Sequence, residues 1–318
     1  MKEEVITNNL NVEENVSFEK LTTFKIGGPA RFLFKADFKQ KIPKAIRTAQ
    51  EANVPYFLLG NGSNLLVTDD GYDGLVVRMD NTHHEAKGDE IKAGAGMDLQ
   101  DLVDFALEQE LKDLEWAAGI PGTLGGAIRG NAGAFGLEME DIVKEVEVYN
   151  TKKDEIETYS NKKCDFNYRQ SIFKQNPELI ILEAVLVLNE SSKKHIKKKM
   201  EEHIKYREQH HPLSYPCSGS VFQNLKTKIK DEELLSQYSE LGKFNEQELI
   251  PAGWLVEKTG LQGKKVGDAK ISDKHSNFIV NLGGAKAQDV MEIINLVREK
   301  VKEKFGIKLQ LEIETLGF

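Results

Sequence analysis

Seven of the eighteen residues from Gly119 to Gly136, in the run GIPGTLGGAIRGNAGAFG, are glycine, in a chain of 318 residues that holds only 26. Glycine in a helix or strand interior costs roughly 0.5–1 kcal/mol relative to alanine, so such a cluster is unfavourable unless backbone must turn sharply or lie close against something. The run therefore demands a loop. One use of such a loop is to present N–H groups to a phosphate. It has no Lys-Ser or Lys-Thr ending of the P-loop kind and no G-x-G-x-x-G opening a helix, so a phosphate cradle of another kind is the reading. A linker or a set of tight turns would use the same composition.

The length predicts two or three packed units rather than one. No stretch approaches the ~18 consecutive apolar residues of a membrane span. The opening MKEEVITNNLNVEENV is acidic where a secretory leader needs a basic start and an apolar stretch, so a cytoplasmic protein is expected. A net charge of −8 argues against a general nucleic-acid partner. The basic run Lys193–Lys199, followed by Glu201 and Glu202, fits the solvated side of a helix. Cys164 and Cys217 form no C-x-x-C pair, and His83-His84 and His210-His211 form no H-E-x-x-H. No metal is expected, and the cysteines read as packing residues.

Periodicity predicts a helix over 42–53, strands over 56–59, 65–68, 75–79 and 91–95, and a helix over 98–110 with Asp98 as its N-cap. After the glycine run, 143–149 and 155–159 read as a hairpin, 178–188 as a strand and 192–209 as a helix ending before Pro212. The remainder reads as short helices near 232–238 and 252–259, a strand at 277–282, a long helix over 287–305 and a closing strand over 308–314. Helices and strands mix without regular βαβ alternation. The fold class is α+β rather than a doubly wound sheet.

Four constellations carry chemistry. LGNGSNLLV (Leu59–Val67) sets Asn61, Ser63 and Asn64 around two glycines directly after a strand, as a second phosphate-facing turn or as a Gly-Asn hairpin. CDFNYRQSIFK (Cys164–Lys174) offers Tyr168, Ser171 and Arg169, a side chain able to clamp a carboxylate. HPLSYPCSGSVFQN (His211–Asn224) places Ser220 after Gly219 without a G-x-S-x-G elbow. LEIE near the end puts Glu312 and Glu314 on one face of the expected strand. Each of these has an ordinary surface or turn alternative. His275, before a strand in KHSNFIVN, is better placed for a ligand than the other histidines.

Taken in order with LTTFKIGGPARFL (Leu21–Leu33) and AGWLVEKTGLQGKKVGDAKISDKHSNFIVN (Ala252–Asn281), these motifs closely resemble the MurB family of bacterial peptidoglycan synthesis, from about Leu21 to Glu314. The resemblance, to the shorter subtype, implies a two-subdomain FAD-binding fold of the vanillyl-alcohol oxidase type over residues 1–207, divided near residue 80. A smaller α+β substrate-binding domain over 208–318 completes it. It further implies oxidation of NADPH and reduction of a UDP-sugar enolpyruvyl ether, with hydride passing from flavin N5 to the vinyl carbon.

By motif position, Arg169 and Glu314 would stabilise the negative charge that develops, Glu314 in its protonated form, and Ser220 would supply the proton. Gly60, Asn61, Gly62, Ser63, Asn64, Gly122, Thr123, Gly125, Gly126, Asn131, Gly133 and Arg207 are the implied FAD residues. Tyr168, Asn224, Lys274 and His275 are the implied substrate residues. Arg129 stands where relatives usually have an uncharged residue, and TLGF follows LEIE where relatives often continue with V-R. An oxidase of the same fold, or a flavin-binding module without turnover, would share the loops but not the Arg169, Ser220 and Glu314 set.

Overall fold

A computed structural model describes residues 2–318. The chain divides into two compact units. The first comprises the chain up to Val16, Pro29–Gly62 and Asp73–Arg207; the second comprises Ser17–Gly28, Ser63–Tyr72 and Glu208–Phe318.

The first unit holds a four-stranded sheet in the order Glu13–Ser17, Pro29–Ala36, Tyr72–Met79, Tyr56–Leu59, the last two strands parallel with Tyr56 opposite Leu75. A second sheet of five antiparallel strands runs Glu155–Ser160, Val143–Asn150, Leu179–Val187, Glu90–Gly94, His84–Lys87. Its central strand, LIILEAVLV, is apolar almost throughout because both faces are covered. The one charge in it, Glu183, is buried and held by Lys92 at 2.7 Å and Lys39 at 3.3 Å. Helix Lys41–Glu51 buries Ile42, Ala45, Ile46 and Ala49, and helix Leu99–Glu108 buries Leu99, Leu102, Val103 and Ala106. Asp98 caps the latter by accepting the Gln100 amide at 2.8 Å, as expected from the sequence.

The second unit is built on an antiparallel sheet in the order Cys217–Ser220, Phe278–Asn281, Ala269–Ile271, Lys265–Val266. Helix Ala287–Phe305 buries residues 287, 290, 293, 294, 297, 301 and 305, one stripe at helical spacing. Each fully buried Val, Ile or Phe on it contributes about 1.5–3 kcal/mol. Gly306, left-handed at φ 69°, ends the helix.

Two expectations are corrected here. Residues 17–28 and 63–72, read as part of a continuous first domain, pack in the second unit. Phe24, Ile26 and Leu66 belong to its core, and the buried Asn281 amide donates to the Phe24 and Lys25 carbonyls at 3.1 and 3.2 Å. The closing strand is not 308–314 but Glu314–Leu316, parallel to Leu65–Val67; residues 312 and 313 form a bend. Alternation therefore does not put Glu312 and Glu314 on one face. The same pairing removes the hairpin alternative for LGNGSNLLV, since Tyr56–Leu59 and Leu65–Val67 lie in different sheets.

Candidate active site

In the first unit the glycine run is not one open loop. It contains a six-residue helix, Leu124–Arg129, whose N-cap Thr123 accepts the Gly126 amide through Oγ1 at 3.3 Å. The Leu124 and Gly125 amides donate to the carbonyls of Met97 and Ala95 at 2.8 and 2.9 Å. Three amides that composition offered to a phosphate are thus committed within the protein. The glycines have an internal reason too: a Cβ on Gly125 would lie 2.8 Å from that of Ala95, and one on Gly133 2.6 Å from the Leu137 carbonyl. Gly60 meets the run directly, because a Cβ there would stand 2.5 Å from Thr123 Oγ1. Asn61 Nδ2 donates to Asp98 Oδ2 at 2.7 Å and to the Gly122 carbonyl at 3.3 Å. Gly60 to Gly62 and the glycine run are therefore one piece of scaffold.

The far end of the run carries the arginine. Asn131 is fully buried; its Nδ2 donates to Glu138 at 2.7 Å and to the Asn167 carbonyl at 3.0 Å, while its Oδ1 accepts the Glu140 amide at 3.0 Å. With every side-chain group engaged by protein, Asn131 acts by position rather than through its amide. Ser171 Oγ donates to the Arg129 carbonyl at 2.7 Å, which pins the YRQS loop to the end of the short helix. Arg169 has a left-handed backbone, φ 55°, and its Nη2 donates to the Gly133 carbonyl at 3.0 Å. Its guanidinium lies 5.0 Å from the centre of the Tyr168 ring, so the two motif residues meet as an arginine over an aromatic face.

Arg207 decides whether an anionic cofactor fits this unit. Arg207 is 5% exposed, and its guanidinium donates to the carbonyls of Trp116 at 2.8 Å and His203 at 3.4 Å, with Phe135 across it at 5.0 Å. No carboxylate faces it among the described residues. Burial alone pulls its pKa down. A buried cation compensated only by carbonyls is costly, and a diphosphate is the kind of partner that offsets the cost. The donor set fits FAD.

In the second unit, a cavity of about 310 Å³ is lined by Ser220, Asn224, Trp254, Lys274, His275 and Ser276, among others. Cys217 pairs with Val280 and Ser220 with Phe278, so the serine strand carries one residue more than its partner. Gly219 takes up the extra residue at φ 77°. Such a bulge re-aims the residue after it, which is how Ser220 comes to face the cavity.

Asn277, missed in the sequence reading, holds this loop: its Oδ1 accepts the Phe222 amide at 3.0 Å and its Nδ2 donates to the Phe222 carbonyl at 2.8 Å. Asn224 Oδ1 accepts the Ala252 amide at 3.0 Å, and Lys274 Nζ donates to the Glu208 carbonyl. His275 Nδ1 accepts the Asn277 amide at 3.2 Å, so Nε2 carries the proton, and burial pushes its pKa below the usual imidazole value. The Glu312 amide donates to the Val221 carbonyl at 2.8 Å, which ties the glutamate segment to the serine loop.

The predicted residues divide between the units. Tyr168, Arg169, Arg207, Gly60–Gly62 and the glycine run fall in the first; Ser63, Asn64, Ser220, Asn224, Lys274, His275 and Glu314 fall in the second. Burial pushes Cys164 up to about 12 and raises Cys217, so neither is a thiolate near neutrality. Among the described residues, no group of three or more His, Cys, Asp or Glu side chains is arranged to hold a metal, and no helix is long and apolar enough to cross a membrane.

Comparison with known proteins bears on the same residues. Residues 30–159 match the model of an FAD binding domain, and residues 211–316 match that of the UDP-N-acetylenolpyruvoylglucosamine reductase C-terminal domain. The UDP-N-acetylenolpyruvoylglucosamine reductase of Caldanaerobacter subterraneus is 40% identical over 304 residues, covering 95% of this chain and 93% of that protein. The chain belongs to the MurB family. The enzyme of the same name from Anoxybacillus flavithermus is 36% identical over 323 residues, covering 100% of this chain and 98% of its own. The crystal structure of MurB from Thermus caldophilus matches with a TM-score of 0.75 at 32% identity, over 96% of this chain and 98% of that one. As a member of the MurB family with an FAD-binding domain, the chain is a flavoprotein oxidoreductase.

Proposed function

We propose that this enzyme reduces the enolpyruvyl ether of UDP-N-acetylglucosamine to UDP-N-acetylmuramate, a step of peptidoglycan precursor synthesis, with NADPH as electron donor. Bound FAD supplies the hydride chemistry between NADPH and the vinyl group. The cofactor residues are Arg207 for the diphosphate, with Gly60–Asn64 and the stretch Gly122–Gly133 letting backbone approach it; Asn131 holds that stretch in shape. Tyr168, Asn224, Lys274 and His275 bind substrate, His275 as a neutral Nε2–H donor.

As the terminal vinyl carbon gains hydride, negative charge grows on the neighbouring carbon and its carboxylate. Arg169, fixed to the Gly133 carbonyl, meets that charge as a preorganised cation, with Glu314 as its acid partner. Ser220 Oγ–H then gives its proton to the carbon. A hydroxyl is a weak acid in water, but transfer to a carbanion-like centre is strongly downhill. The observation that carries this reading is the bulge at Gly219, which turns the Ser220 side chain into a cavity shared with three other motif residues.

The test is anaerobic. NADPH should bleach the yellow holoenzyme, and the enolpyruvyl nucleotide should restore the colour without oxygen. Ser220→Ala should bleach normally and recover roughly 10²-fold more slowly or worse, the scale of a lost general acid. Colour that returns only with oxygen would make the chain an oxidase and end the proposal.

A further inference from the structure

Asn64 is an exposed residue of the glycine-containing turn, and its hydrogen bonds run to the segment that carries Glu314. Its Nδ2 donates to the Glu312 carbonyl at 3.0 Å, and its own carbonyl accepts the Glu314 amide at 2.9 Å. The second bond is the first rung of the parallel pair in which Glu314 stands opposite Leu65. Between the two bonds lies the bend at residues 312 and 313.

A bend has no strand ladder of its own, so whatever grips it sets the direction in which the next residue enters the strand. Here it is gripped on one side by Val221, which accepts the Glu312 amide at 2.8 Å, and on the other by Asn64. Ile313, 3% exposed, anchors the turn between them. We infer that Asn64 is a positioning residue for Glu314: its side-chain amide holds the 312–313 bend so that the Glu314 carboxyl is presented where the reduction uses it. The inference rests on the reading of Glu314 as the acid partner of Arg169.

The physical warrant is geometric. Misplacing a reacting group by about 1 Å costs on the order of 10²-fold in rate, and Asn64 Nδ2, on the Glu312 carbonyl, opposes rotation of that peptide. A residue serving the cofactor alone would act independently of Glu314. A positioning residue has nothing left to position once the carboxyl is gone.

The experiment is a double-mutant cycle on the full chain at saturating FAD, using Asn64→Ala, Asn64→Asp, Glu314→Gln and Asn64→Ala/Glu314→Gln. Reoxidation by the enolpyruvyl nucleotide is followed after anaerobic reduction, and amide exchange of peptides covering 310–318 is measured in parallel. Asn64→Asp keeps the size and removes the Nδ2 donor. Expected are reoxidation slowed about 10-fold or more by either Asn64 change, faster exchange at Glu314, and a double variant within roughly threefold of Glu314→Gln alone. Costs that multiply in the double variant, or unchanged exchange at Glu314, would overturn the inference while leaving the acid assignment standing. Normal reoxidation by Glu314→Gln alone would remove the acid assignment and the inference with it.

Discussion

At the start of the short helix in the glycine-rich run, backbone is held by backbone: Gly125 donates to Ala95, Leu124 to Met97, and the chain comes so close to its neighbours that Gly125 and Gly133 have no room for a Cβ. Around Ser220, backbone is held by side-chain amides instead, Asn277 on both polar groups of Phe222 and Asn281 on the carbonyls of Phe24 and Lys25. The first arrangement works by leaving atoms out, and the second by inserting an atom of the right kind. A region made by omission is readable in composition, because glycines cluster. A region made by insertion is nearly silent, since a buried asparagine looks like any other in a sequence.

If that contrast is real, removing atoms should damage the serine region and adding them should damage the glycine region. The largest effect is expected for Asn277→Ala, which leaves the buried amide and carbonyl of Phe222 without those partners; each such group costs about 1–3 kcal/mol. Urea unfolding should show a loss of that size, and a midpoint within error of the parent would mean that the loop does not depend on Asn277.

Next in size is Gly133→Ala, where one added methyl meets the Leu137 carbonyl and the Glu138 side chain; overpacking of this kind typically costs about 1–3 kcal/mol. The measurement is thermal unfolding of the FAD-free protein. A drop there places the defect in the protein's own packing, whereas a drop confined to FAD-loaded protein would return Gly133 to a purely cofactor-facing role.

The smallest effect concerns pH and sharpens the contrast on the serine side. Burial holds His275 below the ordinary imidazole pKa of about 6.5, so the folded state binds fewer protons there than the unfolded state. Its contribution to stability is fully present above about 6.5 and is lost as pH falls through the folded value. His275→Gln should therefore flatten the decline in unfolding midpoint between about pH 7.5 and 5.5. Some slope will persist, because His203 in the first unit is also lowered by burial and by Arg207. An unchanged slope in the variant would mean that His275 titrates alike in both states.

Much of the fold was legible in the chain. Helix Ala287–Phe305 and strand Tyr56–Leu59 lie where periodicity and punctuation put them, because each is decided by the residues within it. The closing strand was not legible: LEIE alternates well enough to be extended throughout, and the bend at 312–313 comes from Val221 and Asn64, distant in sequence. Of the site, the motif residues were found by resemblance, while Asn277 was not, because nothing local marks an amide that serves another loop.

By itself the sequence determined local conformation and residue chemistry: where glycine forces loops, where an apolar stripe makes a helix, and which side chains can carry charge or a proton. Only the tertiary structure decided that residues 17–28 and 63–72 pack with the C-terminal half, that three amides of the glycine run are already committed, and that Asn64 grips the Glu314 segment. The division has a physical cause. Local preferences are set by neighbours along the chain, but a hydrogen bond between residues distant in sequence is settled by whichever groups chain closure brings within about 3 Å, here Asn64 and Glu312.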